Sequence, residues 1–169
     1  MGKIKNKIIS KLLTRFPRLF DRAVDKVAEF KVAGIPWTPV TMPLSAARIG
    51  LVTTAGVHLT GQEPFNMDDK DGDPSFRELP TDTPRGGYKI THDYYDHSDA
   101  DRDINIVFPI DRLNELKKAG EIGGVAAFNY GFMGHIDGRH IEALMKETGP
   151  EVARRLVNQG VNAVVLTPG

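Results

Sequence analysis

The sequence has no cysteine in its 169 residues. This removes disulfides, thiolate metal sites and a cysteine nucleophile from the chain as it stands, and thiol usage says nothing about compartment. No apolar run approaches the roughly eighteen residues that a membrane-spanning helix needs. The N-terminal stretch lacks both an uninterrupted apolar core and a small-residue cleavage site, so it is a poor secretory signal and the cytoplasm is the default location. Gly123, Gly124, Gly131 and Gly134 surround an apolar segment without G-x-G-x-x-G order, so a dinucleotide site is unsupported. A P-loop and a G-x-S-x-G elbow are missing too.

Net charge is also absent, since 22 Lys/Arg balance 22 Asp/Glu. The spread is uneven. Residues 1–31 carry nine basic and three acidic side chains, leaving 13 against 19, a net −6, in the remainder. An acidic body repels phosphate, which ranks nucleic acid last among partners.

Three segments follow from patterning. In residues 1–31, Ile4, Ile8, Leu12, Leu13, Phe16, Leu19 and Phe20 recur at helical spacing between Lys and Arg, with a break at Pro17. This predicts a basic amphipathic helical extension that packs on the domain or a partner; contact with an anionic membrane surface is the minor alternative. Residues 32–46 contain Pro36, Pro39 and Pro43 and read as an extended linker arm, with Trp37 plugged into the body. Residues 47–169 form the main domain.

Within that domain, "ARIGLVTT", "INIVFP", "GGVAAFNYGFMG" and "VNAVVLTPG" read as strands, with "DRLNELKKAG" and "GPEVARRLVNQG" as helices. Gly120 and Gly160 suit left-handed helix caps, and Pro150 with Glu151 suits a first turn. Residues 60–86 show no period and read as a long loop. The order is βαβ in character, so the fold class is α/β: a mostly parallel sheet flanked by helices, Rossmann-like or flavodoxin-like. Strand exits in such sheets share one edge, where ligands bind. Here they are Thr53–His58, Asn129–Gly134 and Thr167–Gly169, with Pro109–Asp111 beside them.

His58, just past the first strand, suits a proton donor, an anion ligand or a turn role. His135 is a weaker candidate, and His140 is structural on a helix face. "THDYYDHSDADRD" packs two His and five Asp into thirteen residues. Asp99, Asp101 and Asp103 imitate the opening of a calcium loop, but Ile104 stands at the turn glycine and Ile110 at the closing glutamate; in "DKDGDP" a proline replaces the glycine. No metal is expected. The Asp side chains serve turns and caps, Arg102 pairs internally, and His92 and Tyr95 turn toward the site.

Taken together, "IPWTPVTMPLSAARIGLVTTAGVHL", "DGDPSFRELP", "HDYYDHSDADRDINIVFPIDRLNELKKAGEIG" and "GPEVARRLVNQGVNAVVLTPG" resemble the selenoprotein B family of the glycine, sarcosine, betaine and D-proline reductases, over about residues 35–169. The resemblance implies an oxidoreductase subunit that reductively cleaves a carbon–nitrogen bond alpha to a carboxylate, with a disulfide as the oxidised partner of the couple. It implies a selenocysteine in a Sec-x-x-Cys pattern directly after Gly169, encoded by a codon ordinarily read as stop. The domain would then lack its C-terminal part, and the chain as given would be inactive. Thr167, Pro168 and Gly169 would present the selenolate; Thr53, Thr54, Gly56 and His58 would line the same edge; His92, Asp93 and Tyr95 would close it. A pyruvoyl-containing partner subunit would hold the small amino-acid or amine substrate while the selenolate attacks the alpha carbon. Two other function classes stand beside this: a non-catalytic α/β binding or scaffold module docking through its basic helix, and, more distantly, a metal-dependent hydrolase using the Asp/His loop.

Overall fold

The computed structural model describes residues 38–169 together with 8, 9 and 12. The expected extension and Trp37 therefore lie outside the described residues, save Ile8, Ile9 and Leu12. The chain divides into two compact units, Met1–Thr41 with Asp93–Asp96 and Met42–His92 with His97–Gly169. In the first, residues 38–41 carry no regular structure and 93–95 form a bend. The second contains every strand and helix named below. Among the described residues no helix is long and apolar enough to cross a membrane.

The centre of the second unit is β1 (Arg48–Thr53), buried at every position after Arg48. A run of Ile, Leu and Val covered on both faces suits an interior parallel strand. On one side β1 pairs in parallel with β7 (Ala163–Thr167). On the other it pairs in parallel with β5 (Gly124–Val125) and then β6 (Phe128–Phe132). β3 (Phe76–Pro80) adds an antiparallel edge to β6, so the sheet is mixed. A separate hairpin pairs β2 (Val57–Leu59) with β4 (Tyr88–Ile90).

The pairing of β1 with β5 and β6 is interrupted. Arg48 faces Gly124, but Val52 faces Tyr130, so two extra residues are taken up between the two registers. An insertion of this kind costs a ladder bond and bends the strand. The side chain of Asn129 fills the gap: its Oδ1 accepts the Leu51 N–H at 2.8 Å, while its Nδ2 donates to Thr81 Oγ1 at 2.7 Å.

Side chains two apart on a strand share a face. Gly50 and Val52 face α3 (Gly149–Asn158), whose Val152 and Leu156 join Val52, Ala126, Tyr130 and Phe132 in the core. A Cβ on Gly50 would lie 2.9 Å from Leu156 Cδ2, so the bare glycine sets the helix-to-sheet distance. α3 follows α2 (His140–Ala143) through a π turn, Leu144–Thr148. Pro150 has no N–H to return to Lys146, and the helix widens just ahead of it. On the opposite face Thr53 meets residues 104–109, which lead into α1 (Ile110–Lys118).

The two helices and their glycine caps fall where expected, with φ +75° at Gly120 and +71° at Gly160. Three expectations fail. "GGVAAFNYGFMG" is not one strand but two, β5 and β6, broken at the insertion that Asn129 fills. "INIVFP" is not a strand: Ile104–Ile106 form a 3-10 turn. The cause is local, since Asp103 Oδ1 accepts the Asn105 N–H at 3.1 Å, and Asn105 exchanges two 3.0 Å bonds with Asp111. Such side-chain bonds compete with a ladder. Residues 60–86 are not all loop, because β3 lies within them. Its charged, proline-ended sequence suits an edge position, which weakens the apolar signal that marks interior strands.

Candidate functional site

The carboxyl edge of the parallel strands is gathered on one carbonyl. Thr53, fully buried, donates its hydroxyl to Val107 O at 2.8 Å, and Thr167 donates to the same oxygen at 2.6 Å. The Thr54 N–H bonds Thr167 O at 2.9 Å. β1, β7 and the segment before α1 are thus tied at their exits. Val in place of Thr167 should lower stability by about 1 kcal/mol through the lost hydroxyl bond. Val in place of Thr53 should cost more, because Thr53 Oγ1 also accepts the Ala55 N–H at 3.2 Å. Urea unfolding of the two variants checks the order, and faster exchange of the Thr54 amide in the Thr167 variant checks the location.

β6 joins the edge through glycine. A Cβ on Gly134 would lie 2.8 Å from Thr54 O and 3.2 Å from His92 Nε2, so only a bare backbone brings this exit against both. The Gly56 N–H donates to Phe132 O at 2.9 Å, while Gly56 O accepts the Thr91 N–H at 3.0 Å. His92, buried, is held between these glycines. Of the expected site residues, Thr53, Thr54, Gly56, His92 and Thr167 are brought together. Pro168 and Gly169 follow β7 and are exposed. Asp93 and Tyr95 fall in the first unit.

His58 is 2% exposed and packs edge-on against Phe65. Its Nδ1 lies 2.8 Å from Leu59 O, which requires Nδ1–H; Nε2, 2.9 Å from Thr91 Oγ1, then accepts that hydroxyl. Both nitrogens are engaged, which gives His58 a holding role between β2 and β4. Burial pushes its pKa below the ordinary 6.5, with Arg77 and Lys89 adding to the effect and the Leu59 carbonyl opposing it. The unfolded chain therefore takes up the proton first. Stability from this group is complete above about pH 6.5 and declines as pH falls toward the depressed folded value. Urea midpoints between about pH 7.5 and pH 5 should slope accordingly, and His58→Gln should flatten the slope.

The acidic motifs are spent on structure. Asp69 accepts the Asp71 N–H at 3.0 Å, His140 Nε2 at 3.1 Å, and Arg139 Nη2. The Asp71 amide, His140 and Arg139 hold its carboxyl down to about 2. Arg102 pairs with Asp99 at 2.9 Å and His97 with Asp101 at 2.8 Å. Among the described residues no group of three His, Asp or Glu could hold a metal ion.

His97 and residues 100–106 also wall a cleft of about 920 Å³, with Arg85, Lys89 and Arg112 among its lining. Arg85 meets Asp111 at 2.7 Å and Arg112 meets Glu115 at 2.7 Å. These cations were not singled out from sequence; they converge from the turn before β4, from β4 and from α1, which only the fold brings together.

The description "Glycine/sarcosine/betaine reductase selenoprotein B (GRDB)" belongs to the family model that matches residues 27–169. The D-proline reductase subunit gamma of Acetoanaerobium sticklandii is 44% identical over 133 residues, 79% of this chain and 53% of the relative. The glycine reductase complex component B subunit gamma of Carboxydothermus hydrogenoformans is 29% identical over 79% of this chain and 30% of its own length. The betaine reductase complex component B subunit beta of Peptoclostridium acidaminophilum is 33% identical over 48% of this chain and 18% of its own length. The chain thus spans about half the length, or less, of these relatives. No solved structure matches it.

Proposed function

The chain belongs to the glycine/sarcosine/betaine reductase selenoprotein B family, and from that premise we propose that it is part of a reductase subunit cleaving the carbon–nitrogen bond of a small amino acid. Identity of 44% to a D-proline reductase subunit, against 29% and 33% to glycine and betaine reductase subunits, favours a cyclic substrate. The observation that carries the proposal is the edge itself: the exits of β1, β6 and β7 converge on Thr54, His92 and the Val107 carbonyl.

A selenolate directly after Gly169 would supply a nucleophile already ionised near neutral pH, by the logic that governs acidic thiols. The edge fits such a group, since Thr167 is fixed through both its hydroxyl and its carbonyl. This chain's part is to hold that exit still and to offer the buried His92 at the neighbouring β6 exit, against Gly134. In the cleft, Lys89 suits a substrate carboxylate, with Arg85 and Arg112 beside it in ion pairs to Asp111 and Glu115 that such a carboxylate would have to share. The pyruvoyl group is expected on a partner subunit.

The net change for D-proline is two electrons and two protons taken from a dithiol, which ends as a disulfide. The ring C–N bond breaks, C–H and N–H bonds form, and 5-aminopentanoate results. The test is the coding sequence after the Gly169 codon, with the encoded complex then assayed for 5-aminopentanoate from D-proline and dithiothreitol. UGA followed in frame by a cysteine codon three triplets on, and ring opening, is the expected result. An ordinary stop with no continuing frame overturns it and leaves a non-catalytic α/β module.

A further inference from the structure

The two edges of the sheet are built differently. β3, at one edge, presents Arg77, Glu78 and Pro80. Charge and proline are the usual means of keeping an edge from pairing. β7, at the other, reads Ala-Val-Val-Leu-Thr and has neither. Among the described residues its one strand neighbour is β1. Alternate backbone N–H and C=O groups of β7 therefore point away from the sheet. Val165 is 38% exposed and Leu166 74% exposed. The composition is that of an interior parallel strand.

Beside this edge runs an apolar groove of about 440 Å³, on the face that α3 covers. Val164 and Leu166 form its floor, and Ala153, Val157 and Val161 its wall. Val157 is 71% exposed, on the flank of α3 next to the core residue Leu156. Ala153, with its short side chain, also lines the groove. An open interior-type edge adjoining an apolar helix flank has the form of a βα layer awaiting its next unit, because a parallel strand arrives with a crossover helix that must cover the sheet.

We propose that the outer edge of β7 and the groove beside α3 are a docking surface for an aliphatic strand and its amphipathic crossover helix, supplied by the part of the family's subunit that this chain does not span. The 53% coverage of the D-proline reductase subunit gamma leaves ample chain for such a unit. The proposal rests on family membership and not on the selenium chemistry.

The experiment mixes the full chain with the separately produced unmatched portion of the Acetoanaerobium sticklandii subunit, and reads sedimentation and hydrogen exchange. A 1:1 complex is expected, with the amides of β7 slowed at least about tenfold. Val164→Lys with Leu166→Lys should abolish both effects. Should the separate portion not fold, the two are produced as one fused polypeptide and the same amides are compared with those of the chain alone. Absence of slowing in β7 in both formats overturns the proposal. So does self-association of the chain alone that protects β7 equally, which would make the occupant a second copy. Neither readout needs selenium, substrate or the pyruvoyl partner, so failure here leaves the reductase proposal untouched, and failure of ring opening leaves this one untouched.

Discussion

Gly56→Ala is expected to destabilise the fold by about 3 kcal/mol, combining the ~1–2 kcal/mol of a left-handed backbone at a residue with a Cβ and the ~1–3 kcal/mol of overpacking. Gly56 has φ +73°, and a Cβ there would sit 2.4 Å from Thr91 O. The obstacle is backbone, so no rotamer relieves it. Residues 88–92 would have to retreat, yet they are held by the Val57–Ile90 register and by the Thr91 N–H on Gly56 O. The damage is therefore local to the edge, moving Thr91 and with it His92. Urea unfolding gives the energy, and the His92 ring resonances in the folded state give the displacement. Gly61→Ala and Gly86→Ala, where a Cβ meets nothing within 4 Å, serve as controls. A Gly56→Ala loss no larger than theirs would end the close-approach account.

The same glycine marks how far the sequence could be read. Alternation of apolar runs with punctuated helices was enough for an α/β sheet whose exits share an edge, because burial on both faces of β1 writes itself as Ile-Gly-Leu-Val. The glycines around β6 were visible, but their purpose was not. Gly134 matters because Thr54 O and His92 lie across from it, and those neighbours are 80 and 42 residues away in sequence. "INIVFP" misled because its β-branched content outweighed the Asp103 and Asn105 side chains that bend it into a turn. β3 escaped notice for the opposite reason, since an edge strand has little need of apolar residues. In the acidic loop, the Arg102–Asp99 pair and the Asp103 bond to the Asn105 amide were legible, because Asp bonding to near neighbours is a local effect that spacing reveals.

Asn129→Leu is expected to cost about 2–3 kcal/mol, the penalty for stranding a buried backbone donor and losing a second hydrogen bond. Asn129 and Leu51 are both fully buried, and the amide Oδ1 stands where the two-residue insertion between β5 and β6 removes a ladder acceptor. Leucine has similar bulk, so little cavity forms and the measured loss reports the polar bonds. Thr81 would also lose the donor at 2.7 Å that orients its own bond to Ala126 O. Asn129→Asp separates the two bonds. A carboxylate can still accept from Leu51 N–H, but it cannot donate to Thr81 and it brings a charge into the core. Its folded pKa must then lie above the unfolded value near 3.9, so the Asp variant is least stable at neutral pH and regains stability as pH falls through the folded pKa. The Leu variant lacks that carboxyl and keeps only the parent's dependence, in which stability falls as His58 is protonated. Urea midpoints of both against pH decide the matter, and parallel profiles would show that Asn129 fills space without replacing the missing ladder bond.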